Sequence, residues 1–394
     1  MTSLFVTALY DLATFENNDA RKKIDVYLEH LKFLTIEQKN IDLIIFTEAS
    51  LYEAISLQCA ANTTSRIKIV VKEIRDLPLF SRLEKFMLNS VVHPYLTKTP
   101  TKDTSLYKII QLSKIDFIKE AYDISCTIMN NQVDKFIWID SGIQYVATSY
   151  EKNIDVKEVV SCFDDRHFYC TLINPLTNQE YSNLNECCTS WKYRQVGGFW
   201  SVGRNLVDHF VSDIYKDLNF ILSQGYVTQD EDIMARFAHR NPHLCKFGFG
   251  DYRSCIVNWL PKRCYDMHVA LKCIERCHDK GLHVMAIAGF EWQVNLMLSG
   301  ALQLLPYQFF GLLKKWYIQT FYVDQQKAKE LVFLACYLAH VNYEFKYLFE
   351  DEKNDWIYLM SHVGESAVVH MQPQFDTNNV MFQKIIAVYK TRDE

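Results

Sequence analysis

Through the first 150 residues, short apolar or β-branched runs alternate with segments of helical period. That is the pattern of parallel strands joined by crossover helices. A strand is predicted over 4–9, and a helix over 19–34 that sets Ile24, Leu28 and Leu31 on one face. A nearly continuous apolar strand follows over 41–47, then a β-branched strand over 67–74. Residues 106–122 have a helical period, and 135–140 (Lys-Phe-Ile-Trp-Ile-Asp) form a strand that ends in a carboxylate. A βαβ series of this kind makes a three-layer α/β fold. Farther on, 168–173 and 195–202 have strand character, and Thr228 opens a helix that must end before Pro242.

From Tyr265 onward the pattern is mainly helical, with Gly281 after Lys280 as a C-terminal cap signal and a long amphipathic stretch over 324–349. A boundary near residue 262 divides a domain of 1–262 from a mostly helical region of 263–394. Residues 292–313 carry no charge, a length that could cross a bilayer. Four amides (Gln293, Asn295, Gln303, Gln308) and Pro306 interrupt them, which predicts a buried helical hairpin instead. Shallow, peripheral membrane contact stays open. No internal repeat or low-complexity tract is found.

Composition narrows the class. Of the 394 residues, 49% are hydrophobic and 23% charged, which excludes disorder and fibrous architectures. The 42 basic and 47 acidic side chains give a net charge of −5 with no basic block, so nucleic acid is not the expected partner. Twelve cysteines lie in apolar segments, and the N-terminus lacks the basic region of a signal peptide. Together these predict buried thiols and a cytoplasmic protein.

Three constellations could carry chemistry. Trp138-Ile-Asp140-Ser-Gly142 sets a carboxylate at the C-terminal end of a strand, where open α/β sheets bind ligands and where an acid can hold a divalent cation. Asp-Ser-Gly is also ordinary turn chemistry. Asp230, Glu231 and Asp232 open a helix and could supply a general base; Thr228 and Glu231 also match a capping box, which leaves Asp230 and Asp232 unexplained. Gly197-Gly198 lies beside aromatics in a chain with 12 glycines, so backbone there could approach a ligand or form a tight turn. His243 could complete a cation site, although Pro242 rules out the helical His-x-x-x-His face of a zinc protease. Cys264, Cys273, Cys277 and His278 lack the spacing of a zinc knuckle. No phosphate-binding loop, dinucleotide fingerprint or serine-hydrolase elbow is present.

The ordered set Phe5-Val-Thr-Ala-Leu-Tyr-Asp11, Arg21 with Tyr27, Phe46-Thr-Glu48, Tyr107 to Lys114, Trp138 to Gly142, Gly197-Gly198, Asp230-Glu231, and Gly250-Asp-Tyr252 with Asn258 resembles the HtrL/YibB-like glycosyltransferase family. The resemblance covers residues 4 to about 260 and leaves the closing third uncovered. It implies a GT-A type fold, a Rossmann-like, mostly parallel sheet between helices, with the helical C-terminal region as an extension. It also implies a nucleotide-sugar donor, a glycan or other hydroxyl acceptor, and Mn²⁺ or Mg²⁺ bound by Asp140, here a lone acid followed by Ser141 and Gly142. Thr7, Ala8 and Tyr10 would line the nucleotide pocket, with Tyr10 stacking on a base. Arg21 and Lys114 would add positive charge, and Gly197 and Gly198 would approach the donor. Asp230, or else Glu231 or Asp232, would deprotonate the acceptor of an inverting enzyme; in a retaining one that role disappears. The alternatives are a non-catalytic sugar-binding or scaffold protein and a nucleotidyltransferase. Oligomeric state cannot be read from the chain.

Overall fold

A computed structural model describes residues 1–17, 22–94, 96–97, 99–128, 133–147, 154–189, 192–260, 266–351 and 379–390. The first unit, Met1–Leu260 with Tyr265–Cys273, is built on one seven-stranded sheet. Its strands are β1 (Ser3–Leu9), β2 (Asp42–Thr47), β3 (Arg66–Val71), β4 (Lys135–Ile139), β5 (Phe168–Leu172), β6 (Gln195–Gly203) and β7 (Cys245–Phe249). They lie in the order β3-β2-β1-β4-β6-β5-β7. All neighbours are parallel except at β6, which runs antiparallel to both β4 and β5. The sheet is therefore mixed, because β6 returns against its neighbours; the strand β7 has no counterpart in the sequence reading.

Strand composition explains why both faces are covered. Phe136 to Ile139 are buried without a polar interruption, as a central strand between two helical layers requires. One layer packs Leu31, Phe33, Leu34 and Ile55, and later Val156, Val159 and Ile256, against Phe5, Leu9, Ile45, Ile137 and Ile139. The other contains α3 (Phe80–Asn89), α4 (Ser105–Ile128), α5 (Val207–Ser223) and α6 (Asp230–Arg240), once α1 (Ile24–Lys32) and α2 (Tyr52–Ala60) are assigned to the first. On this second face Phe46, Phe117, Trp138 and Trp200 form a ladder of stacked rings with centroids 4.8, 6.0 and 6.3 Å apart. The ladder fixes α4 over the centre of the sheet. Helix α1 begins at Ile24, later than its periodicity suggests, and runs into a single wide turn, Phe33–Glu37.

The second unit, Pro261–Cys264 with Ile274–Glu394, is helical in its described parts. The uncharged 292–313 stretch spans two helices, His283–Leu298 and Pro306–Phe321, which pack on each other. Gln308 Oε1 accepts from Leu305 N at 2.9 Å, so one of the interrupting amides caps the second helix. The 324–349 stretch divides into Gln325–Val341 and Tyr343–Asp351, because Asn342 Oδ1 accepts from Phe345 N and starts a new helix. No helix among the described residues is long and apolar enough to cross a membrane.

Candidate functional site

The strand order reverses at β1, whose neighbours are β2 on one side and β4 on the other. Crevices form outside the C-terminal ends of the strands at such a point. A cleft of about 130 Å³ opens there, lined by Ala8, Tyr10, Lys22, Tyr27, Tyr107 and Ser141 among others. Asp140 precedes Ser141 at the end of β4, and its side chain keeps 30% of its exposure. Asp140 N donates to Gly198 O at 2.9 Å, so pairing between β4 and β6 continues up to the rim.

The centre of the rim is Lys114. Its side chain, on α4, is only 3% exposed, yet it carries the ammonium into a ring of acceptors. Nζ donates to Asp230 Oδ2 at 2.7 Å and to Gly197 O at 3.0 Å, and stands 3.1 Å from Asp140 Oδ1. It also lies 5.5 Å from the centre of the Trp138 ring. Burial pulls the ammonium's pKa down, but Asp140 and Asp230 more than offset this and hold it above its ordinary value. Burial lifts the Asp230 carboxyl above the usual range, and Lys114 offsets only part of that. Trp138 Nε1 donates to Asp140 Oδ1 at 2.7 Å, fixing the orientation of the carboxylate.

The glycine pair makes this convergence possible. Two steps along β5, from Cys170 to Leu172, correspond to five along β6, from Trp200 back to Gln195, so β6 bulges at Gly197 and Gly198. Bulges re-aim backbone beside functional sites. A β-carbon on Gly197 would stand 2.5 Å from Asp230 Oδ2 and 2.9 Å from Glu231 Cγ; one on Gly198 would meet the Tyr252 hydroxyl at 2.9 Å and Asp140 Oδ2 at 3.1 Å. The pair is a strand irregularity that admits acids, and it forms no tight turn.

The three acids of α6 separate. Asp230 is committed to Lys114. Asp232 is turned to the buried Arg194, whose Nε lies 3.8 Å from Oδ1. Glu231 lies with its Cγ beside Gly197, and burial together with nearby carboxylates, Glu231 among them, raises the pKa of the Tyr107, Tyr193 and Tyr252 phenols. The capping box does not form: the helix starts at Asp230 with Gln229 as N-cap, so Glu231 stands one position too early, and Thr228 Oγ1 has no partner among the described residues.

Other sequence candidates fall elsewhere. Thr7 is wholly buried within β1, whereas Ala8 reaches the cleft. Tyr10 lines the cleft, but its ring lies on Phe117, with centroids 6.1 Å apart, and is 7% exposed. Its face is therefore occupied by the core, and the half-buried Tyr27 supplies the aromatic wall instead. Arg21 lies outside the described residues; its neighbour Lys22 is a cation on the cleft wall that sequence reasoning passed over. His243 precedes β7, and β7 begins beside Phe168 at the edge where β4 also begins. It is separated from Asp140 by the length of a strand, ~15 Å, and cannot share a cation with it.

The fit for a divalent cation rests on Asp140. Its Oδ1 faces Trp138 and Lys114, while Oδ2 has no partner among the described residues. One carboxylate oxygen suits magnesium or manganese that keeps its waters and binds mainly through substrate phosphates. A protein-built cage is a different matter: among the described residues no group of three or more His, Cys, Asp or Glu is placed to hold a metal.

No curated protein shows a match to the chain. Among solved structures, the crystal structure of mouse xyloside xylosyltransferase 1 in its apo form is similar, with 11% sequence identity and a TM-score of 0.36, over 64% of this chain and 85% of that one. A family model described as "Bacterial protein of unknown function (HtrL_YibB)" matches residues 2–256, a span that takes in the whole sheet and every residue of the Lys114 cluster, and the chain therefore belongs to the HtrL_YibB family.

Proposed function

We propose that this chain is a glycosyltransferase of GT-A-like fold that moves a sugar from a nucleotide diphosphate sugar to a hydroxyl of a glycan or other acceptor. The observation that carries the reading is the buried Lys114 ammonium tied to Asp140 and Asp230 beside the crevice at the β1/β4 reversal. The cleft supports a divided donor site. Its volume of about 130 Å³ is below the ~300–1,000 Å³ of a complete small-molecule site, so a nucleoside end enters it and the diphosphate extends along the rim toward Asp140. Tyr27 offers a stacking face for the base, and Lys22 a cation for phosphate.

The chemistry is one of charge. As the anomeric carbon–oxygen bond breaks, its electron pair leaves with the diphosphate, and preorganised positive charge stabilises that departure. A divalent cation held by Asp140 would supply neutralisation of the departing phosphate. Lys114 keeps Asp140 aimed, because its ammonium and the Trp138 N–H both engage Oδ1. Glu231, whose Cγ lies beside the Gly197 bulge, takes the acceptor's proton as the acceptor oxygen bonds to the anomeric carbon. A thermal-shift screen of nucleotide sugars, with and without Mn²⁺ or Mg²⁺, tests this reading, because ligands that bind the native state raise the melting temperature. At least one nucleotide sugar is expected to raise it; no rise with any donor would contradict the proposal.

A further inference from the structure

The rim holds more than the donor cleft and the acids. Tyr193 comes just before β6 and Tyr252 just after β7, and both lie at the edge of the sheet where β4 ends. They stand on the β6 side of Asp140, whereas the cleft with Tyr10 and Tyr27 stands on the β1 side. The Tyr193 and Tyr252 rings meet edge to face with centroids 6.3 Å apart, and the Tyr252 hydroxyl points to the Gly198 bulge beside Asp140. Glu231 sits among them, close enough for its charge to act on both phenols.

Tyr193 is unusual in two respects. Its φ is +44°, in the left-handed region that a bulky side chain adopts only at an energetic cost. The residue is nevertheless 42% exposed, so the strained backbone does not serve to bury the ring. The ring is left part-exposed at the side of the rim opposite the donor cleft. A flat apolar ring with a polar tip is the surface that a sugar ring matches, with its axial C–H groups on the aromatic face and its hydroxyls at the edge.

We propose that Tyr193, backed by Tyr252, is the acceptor platform, and that the acceptor is a carbohydrate whose ring lies on Tyr193 and turns a hydroxyl toward Glu231. This rests on the transferase reading and narrows its acceptor from any hydroxyl compound to a sugar.

The test uses the full chain on an array of immobilised oligosaccharides, with no donor present. Wild type is expected to bind a defined set of glycans. Tyr193→Ala is expected to weaken that binding about tenfold or more, and Tyr193→Phe to retain it, because the ring face is what is used. Tyr193→Gly guards against a folding artefact: it relieves the left-handed strain, so the melting temperature is expected to rise while glycan binding falls. In the donor assay, Tyr193→Ala is expected to lower the ratio of transfer to hydrolysis through a higher KM for the acceptor. Absence of glycan binding by wild type, or equal binding by wild type and Tyr193→Ala, overturns the acceptor assignment. Glycan binding that depends on Tyr193, in a chain that binds no nucleotide sugar, would uphold the platform and overturn the transferase reading alone.

Discussion

Gly197 and Asp230 are in contact across a gap that only a hydrogen atom can fill: a β-carbon at 197 would stand 2.5 Å from Asp230 Oδ2. That oxygen cannot swing aside freely, because Lys114 Nζ holds it at 2.7 Å and also bonds to the Gly197 carbonyl at 3.0 Å. Gly197→Ala is therefore expected to force the bulge and α6 apart, lowering stability by about 1–3 kcal/mol. The check is urea unfolding of the variant, accompanied by a crystal structure in which the Lys114 bonds are lengthened.

A second consequence concerns Lys114 itself. Removing one partner of a buried ion pair leaves uncompensated charge and costs about 3–5 kcal/mol. Lys114→Met is expected to lose that much, and the double variant Lys114→Met with Asp230→Asn to regain part of it, since the second change removes a stranded carboxylate. A double-mutant cycle measured by chemical unfolding gives the coupling. Equal stability of the single and double variants would show that Asp230 is not the partner that matters.

Much of the sheet is legible in the chain because central strands between two helical layers are written as apolar runs, as in 43–46 and 136–139. Asp140 follows from the same logic, being the first acid after such a run. The antiparallel return of β6 is not legible, since strand direction leaves no mark on periodicity. Lys114 is visible as a residue but not as a buried one: cations on helices usually face water, and only the Gly197 bulge, with Asp140 and Asp230, makes an interior ammonium tolerable. Tyr10 misleads for the opposite reason. It stands at the strand end where a ligand binds, but the aromatic ladder on α4 takes up its ring first. The split of Asp230, Glu231 and Asp232 among three environments depends on helix phase, which a one-residue shift in the start of α6 is enough to change.

The donor assignment predicts a role for Tyr27. Base–aromatic stacking is worth about 1–3 kcal/mol per base, so Tyr27→Ala is expected to weaken nucleotide binding by roughly 5-fold to 150-fold. Tyr27→Trp is expected to retain it. Titration calorimetry with the free nucleoside diphosphate measures both.

Away from the rim, Asp116 on α4 gives a pH signature. Burial raises its pKa to about 6, although the Tyr215 hydroxyl donates to Oδ1 at 2.5 Å and Lys72 opposes the shift. Oδ2 is buried without a partner among the described residues. A folded-state pKa above the unfolded value means the native state keeps its proton longer. The contribution of Asp116 is thus full below about pH 4 and is lost as pH rises through about 6. Asp116→Asn is expected to raise the melting temperature at pH 7 relative to wild type and to leave it nearly unchanged at pH 3.5, which a pair of thermal scans determines.

The central claim is that the Asp140 carboxylate at the rim serves a departing nucleoside diphosphate. The direct measurement is release of nucleoside diphosphate from the nucleotide sugar that binds best, for wild type and for Asp140→Asn, which keeps the shape and the acceptor for Trp138 but removes the charge. The account predicts turnover by wild type and a loss of at least about a hundredfold in the variant, with the fold intact by circular dichroism. Turnover by Asp140→Asn at the wild-type rate would contradict it.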